Sequence, residues 1–123
     1  MGKKLKGRWL DEPNEDDYAA AESFLTLIYD EESTASFVKK LKKAEVLQFK
    51  AKDIFRASGL PLLGINNSHV KVDQKKIVAG KKLSPVLLVR QASSGRVIIA
   101  DGYHRMCAAY SLDEDASIPC KIV

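Results

Sequence analysis

Apolar positions along the chain fall into short groups whose period switches between helical and alternating. Tyr18, Ala21, Phe24, Leu25 and Ile28 recur at helical spacing and make one apolar stripe. Asn14, with Asp17 three positions on and Pro13 before it, supplies the start signal of that helix. Glu15, Asp16 and Asp17 suit the positive end of its dipole. A second helix is predicted from about Glu32 to Ala44, with Phe37, Val38, Leu41 and Ala44 inward and lysines on the other face. Glu45–Phe49 alternates as a strand does, and Lys52–Ser58 reads as a short helix stopped by Gly59 and Pro61. Residues 60–70, with Pro61, Gly64, Asn66 and Asn67, read as a structured loop. A helix from about Val72 to Ala79 is closed by Gly80.

The two strongest strands are Pro85–Arg90 and Arg96–Ala100, and Ser93-Ser94-Gly95 gives the turn of a hairpin between them. A helix over 103–112 follows, then the acidic loop Asp113-Glu114-Asp115. The last strand spans Ser117–Val123, and Pro119 predicts an edge or a bulge for it. The fold expected is α+β, a small mixed β-sheet with surrounding helices. Residues 1–13 read as a flexible basic arm in which Trp9 and Leu10 anchor onto the body. Residues 14–123 read as a single domain, with 14–44 a helical extension and 45–123 the core.

At 123 residues and 46% hydrophobic, the chain can fill one core and not two independent ones. No apolar run approaches the roughly 20 residues that span a bilayer. The basic start, Met1–Arg8, lacks the apolar segment of a secretion signal. Cys107 and Cys120 have neither metal-ligand spacing nor a disulfide framework. A reduced, cytoplasmic protein with no membrane partner is expected. The net charge of +4 is unevenly spread: residues 10–32 hold nine acids and no base, whereas lysines cluster at 39–43 and 71–82. Such alternation would guide an anionic partner or pair the chain with itself as a homodimer; solvated helix faces are the plain alternative.

The chemistry concentrates at Val97-Ile-Ile-Ala-Asp-Gly-Tyr-His-Arg105. A strand there ends in Asp101-Gly102 and a helix begins with Tyr103-His104-Arg105. Free N–H groups at a helix start favour an anion. Gly102 lets the backbone turn sharply and approach a ligand. Arg105 can grip phosphate with paired donors, and His104 can donate from its ring. Cations in a first helical turn oppose the dipole, a conflict that a bound anion would relieve. Asp101 could hold a metal ion, accept a proton or bond a ribose hydroxyl. Without an anion, Arg105 would pair with Asp101 or with the acids at 113–115, and His104 would cap or pack.

The stretch from about Glu45 to Val123 resembles the ParB/sulfiredoxin superfamily. The matching pieces are Val46-Leu-Gln-Phe49, the helix at 72–79, Leu83-Ser-Pro-Val-Leu-Leu-Val-Arg90, the run from Val97 to Tyr110, and Ile118-Pro-Cys-Lys-Ile-Val123. The resemblance implies a ParB/sulfiredoxin-like fold to which 14–44 adds a helical pair. It implies that His104 and Arg105 contact the phosphates of a nucleotide, ATP or CTP, with Gly102 and the adjoining N–H groups shaping the cradle. Tyr103, held at the same turn, would contact the substrate or base, and Mg²⁺ would help by bridging phosphate oxygens. Asp101 matches the Asp of the Asp-Gly-His-His-Arg version in related free-serine kinases, which makes Asp101 and His104 the implied catalytic pair and Asp101 the implied Mg²⁺ ligand. Lys71 or Lys75 takes the place of the nucleotide-binding lysine, and Arg56 that of a basic residue after the first strand. The departures are informative. Tyr103 stands where sulfiredoxins carry their catalytic Cys, which excludes thiolate chemistry at that position. Gln74 and Val78 stand where hydroxyls are expected, and a DNA-reading helix-turn-helix domain like that of ParB is not expected after the last strand.

His69 reads either as a surface loop residue or as a completion of the site. Trp9 could stack on a base but more simply docks on the body. Three functions follow: a nucleotide-binding protein with or without phosphotransfer or hydrolysis, a DNA-binding or nuclease-like module using the lysine-rich helices, and a non-enzymatic interaction protein.

Overall fold

A computed structural model describes residues 9–64 and 66–123. Nine elements follow in chain order: α1 (Glu15–Leu25), α2 (Glu31–Lys43), β1 (Leu47–Lys50), α3 (Ala51–Ser58), α4 (Ser68–Val78), β2 (Val86–Gln91), β3 (Arg96–Asp101), α5 (Tyr103–Leu112) and β4 (Ser117–Ile122). The sheet is mixed, in the order β1-β4-β2-β3, with β4 parallel to β2 and the other two pairings antiparallel. The expected α+β class, with helices around a small mixed sheet, is what the chain forms. Among the described residues no helix is long and apolar enough to cross a membrane.

Side chains of a strand alternate between faces, and β2 shows what lies on each. Val86 and Leu88 join a core with Ile54, Val70, Ile77, Met106 and Ile118, which belongs to α3, α4 and α5. Leu87 and Val89 join a second core with Tyr18, Ala21, Leu25, Val38 and Leu41, which belongs to α1 and α2. The helices therefore form a layer on each face. Four consecutive buried residues, Val86–Val89, are the sequence signature of a strand covered on both sides.

Some boundaries depart from the sequence reading for clear reasons. The α1 stripe holds for Tyr18, Ala21 and Leu25; Phe24 lies on the helix at the margin of that face, and Ile28 follows the end of the helix at Leu25, and both remain exposed. α4 begins at Ser68, not near Val72, because the Asn67 side chain accepts from the N–H groups of His69 and Val70 and caps the helix there. Pro119 does not mark an edge, since β4 is an inner strand between β1 and β2. The β2 ladder meets β4 only from Cys120 onward, so the missing N–H of Pro119 breaks none of its bonds.

The expected arm, residues 1–13, lies outside the described residues for 1–8. Residues 9 and 10 are tied down: Trp9 bridges to Leu83 and packs on the first core, and Leu10 N–H donates to Leu83 O at 2.8 Å. Cys107 and Cys120 are both buried free thiols.

Candidate functional site

The corner between β3 and α5 is shaped by one bulge and one glycine. Leu88 pairs with Ile99 but Leu87 pairs with Asp101, so Ala100 is an extra residue in β3. The bulge brings Asp101 to the face of Leu87, toward α1, where simple alternation would have turned it the other way. Gly102 follows with φ +106°, and a Cβ there would lie 2.9 Å from Val86 Cγ2 and 3.0 Å from Arg105 Nη2. Both the backbone angle and the packing demand glycine.

Beneath that glycine, Arg105 is held by protein acceptors. Its Nε donates to Ser84 O at 3.0 Å, and its Nη2 donates to Pro85 O at 3.1 Å and to Asp101 Oδ2 at 2.9 Å. Asp17 Oδ1, from the first turn of α1, lies 3.9 Å from the same Nη2. The pairing with Asp101 is the anion-free alternative read from the sequence, whereas the acids at 113–115 take no part. Burial raises the Asp101 carboxyl above its ordinary range, Arg105 pulls it back, and the adjacent Asp17 adds to the rise. The guanidinium thus braces the start of β2 against α1 and the end of β3.

Above the corner opens a cavity of about 250 Å³. Asp101, Gly102, Tyr103, His104 and Arg105 line one side, and His69, Val72, Asp73 and Lys76 of α4 line the other. The α4 residues fall at i, i+3, i+4 and i+7, one helical face. The rings of His69 and His104 have centroids 4.8 Å apart at 40°. Tyr103 flanks His104 at 5.7 Å, and its hydroxyl donates to Pro61 O. Burial, with a smaller effect from Cys107, raises the Tyr103 hydroxyl above its ordinary value, so it stays protonated as a donor.

The start of α5 differs from the other helix starts. Asp17 accepts from Asn14 N–H at α1, Asp30 from Ser33 N–H at α2, and Asn67 from two N–H groups at α4. At α3 the first two N–H groups donate to Ala116 O and Glu114 O. α5 has no side-chain cap and no acid in its first turn. The N–H groups of Tyr103, His104 and Arg105 meet no acceptor among the described residues. The geometry of an α-helix leaves its first N–H groups without intrahelical partners, and here no side chain supplies one.

The cavity gathers Asp101, Gly102, Tyr103, His104 and Arg105 as the sequence reading expected, but not the other two residues. Lys71 is exposed and off the cavity face of α4, where Lys76 stands instead. Arg56, on α3, is 82% exposed and paired with Asp53, away from the cavity. His69, which reads from the sequence either as a surface loop residue or as a completion of the site, lies in the first turn of α4 because Asn67 starts the helix early. Gln74, noted for lacking a hydroxyl, donates from Nε2 to Ser111 Oγ and ties α4 to α5.

Asp101 is a poor fit for a Mg²⁺ ligand, because its Oδ2 already accepts from Arg105 and its charged form is disfavoured by burial. Among the described residues no group of three or more His, Cys, Asp or Glu side chains is arranged to hold a metal ion. Compared with protein-family models, with curated proteins and with solved structures, the chain matches none of them.

Proposed function

We propose that the cavity at the start of α5 binds the phosphates of a nucleotide such as ATP or CTP, and that the chain has a ParB/sulfiredoxin-like fold. The observation that carries this reading is the uncapped start of α5 at the edge of a cavity lined by two imidazoles and Lys76. Backbone donors and the helix dipole favour an anion, and the side chains add charge-assisted donors. The resemblance at Asp101-Gly-Tyr-His-Arg105 points to the same ligand. Gly102 shapes the cradle, His104 and His69 reach the phosphate oxygens, and Arg105 holds the corner in place. Mg²⁺ would enter with the phosphates rather than on a protein cage. Turnover, where it occurs, would use His104 for proton transfer with Asp101 beside it. The buried free thiols accord with the cytoplasmic location expected from the sequence.

The lysine groups give less support to a nucleic-acid surface. Those of α2 and α4 lie on helices that cover opposite faces of the sheet, so one duplex cannot lie flat on both. Isothermal titration with ATP, CTP, ADP and GTP, with and without Mg²⁺, tests the proposal. Saturable heat with at least one of them is expected. Absence of binding by all four at about millimolar concentration, where even weak sites register, would reject it.

A further inference from the structure

We propose that the sheet floor beside α3 is a second binding site, for a small monocarboxylate with an apolar body. A cavity of about 270 Å³ opens there, and its floor takes Phe49, Leu88, Val97 and Ile122, one residue from each strand. Ile54 and Ala57 of α3 form its wall. α3 has only eight residues, and Phe49, Val97 and Ile122 stay half-buried around the opening. The space exceeds the roughly 150 Å³ of an apolar cavity that takes benzene. That suits a molecule the size of 4-methylpentanoate.

The charges around the cavity choose the head group. Leu88 and Arg90 are two apart on β2, so both point to the α3 face. Arg90 borders the cavity, is exposed, and its guanidinium forms no ion pair or hydrogen bond with a described residue. Asp53, the other charged lining residue, already has Arg56 Nη1 at 3.6 Å. A cation without a partner beside an apolar floor matches a carboxylate on an apolar body, and a guanidinium can take both carboxylate oxygens. An apolar amine would need Asp53 and would meet Arg90 as a like charge. The site is separate from the phosphate cavity: the two share no lining residue, and Arg105 holds the carbonyls of Ser84 and Pro85 before β2 begins, whereas Leu88 and Arg90 lie further along it.

The test is a two-dimensional amide NMR titration with 4-methylpentanoate, its primary amide and 3-methylbutylamine, on the natural chain, Arg90→Gln and Ala57→Leu. Saturable shifts are expected at Phe49, Ile54, Leu88, Val97 and Ile122. The acid should bind about tenfold more tightly than the amide, the scale of one charged hydrogen bond. Arg90→Gln should erase that difference and leave a parallel titration with inorganic phosphate unchanged. Ala57→Leu should fill the cavity and remove binding of all three probes. The proposal is overturned by absent saturation with the acid, by equal affinity for acid and amide, by preference for the amine, or by an acid preference that survives in Arg90→Gln. Shifts of the floor residues that follow protein concentration without any probe would assign the floor to a second copy and overturn it as well.

Discussion

Replacing Arg105 with alanine should damage the fold before it damages any binding. The side chain is 16% exposed, and it satisfies two backbone carbonyls and one carboxylate while a second carboxylate lies within 4.0 Å. Removing it leaves Ser84 O and Pro85 O without that donor, at about 1–3 kcal/mol for each buried acceptor. It also leaves Asp101 and Asp17, whose side chains are 14% and 13% exposed, facing one another with no cation between them. Breaking a buried pair by deleting one partner costs about 3–5 kcal/mol. The contributions overlap, and the Asp101 carboxyl can take up a proton, so the expected loss is about that range rather than the full sum. Urea unfolding followed by circular dichroism should show a midpoint lower by about 2 M, taking a slope of about 2 kcal/mol per molar.

The pH dependence has a definite sign. Asp101 in the folded chain binds its proton more readily than in the unfolded chain. Such a carboxyl favours the fold at acid pH and loses that contribution as pH rises through its folded value. Without Arg105 the folded value rises further. The deficit of Arg105→Ala against the natural chain should therefore be larger at neutral pH than near pH 4. A loss under about 1 kcal/mol, together with a full loss of phosphate binding, would refute the bracing role and return Arg105 to the ligand.

Other outcomes follow from the same geometry. His69→Gln, His104→Gln and Lys76→Ala should each weaken nucleotide binding about tenfold, with unfolding midpoints little changed, in a calorimetric titration. Gly102→Ala should destabilise by about 1–3 kcal/mol, since φ +106° and the Val86 side chain both oppose a Cβ; an unchanged thermal midpoint would contradict this. Burial pushes the Cys120 thiol up to about 12 and raises that of Cys107, so neither should react with a disulfide reagent in the folded protein near pH 8, and both should react in urea. A fragment covering residues 45–123 should lack a cooperative unfolding transition, because the α1 and α2 side of the sheet would face water.

Local signals account for what could be read from the sequence. The hairpin declares itself through Ser93-Ser94-Gly95, and the strand-to-helix corner through a single glycine between an apolar run and an alanine-rich helix. The α4 stripe was also present in the residues but depends on where the helix begins. Once Asn67 is taken as the cap, His69, Val72, Asp73 and Lys76 fall on one face and Lys71 on another. The orientation of Asp101 was not readable, because it follows from a bulge fixed by pairing with β2. Nor was the inner position of β4, since its parallel ladder with β2 joins segments some thirty residues apart in the chain, between Val86 and Cys120. The Arg105 contacts with Ser84 and Pro85 carbonyls are backbone contacts across the fold, which no residue pattern announces.

The N-terminal helices are part of the corner rather than an attachment to it. Asp17 takes part at both ends: its Oδ2 accepts from Asn14 N–H to start α1, and its Oδ1 lies beside Arg105. Asn14 Nδ2 in turn donates to Ser84 Oγ, next to the carbonyl that Arg105 holds. Further along the same face, Lys121 is 1% exposed, its ammonium donating to Lys42 O and pairing with Glu12 over the ring of Tyr18. Burial works against that charge, while hydrogen bonds and charge from Tyr18 and Glu12 hold it above its ordinary value, so the lysine stays protonated beneath α1 and α2. Its ammonium ties the end of α2, through Lys42 O, and the segment before α1, through Glu12, to β4, and deleting one of those partners while the charge stays buried would be costly. The start of α5 is thus positioned from both sides: α4 supplies the imidazole and the ammonium that face the cavity, and α1 supplies the carboxylate that helps keep Arg105 turned beneath Gly102. Any ligand at that corner binds a site whose geometry is set by both helical layers, so mutations at Asp17 or Asn14 should reach it without touching the cavity.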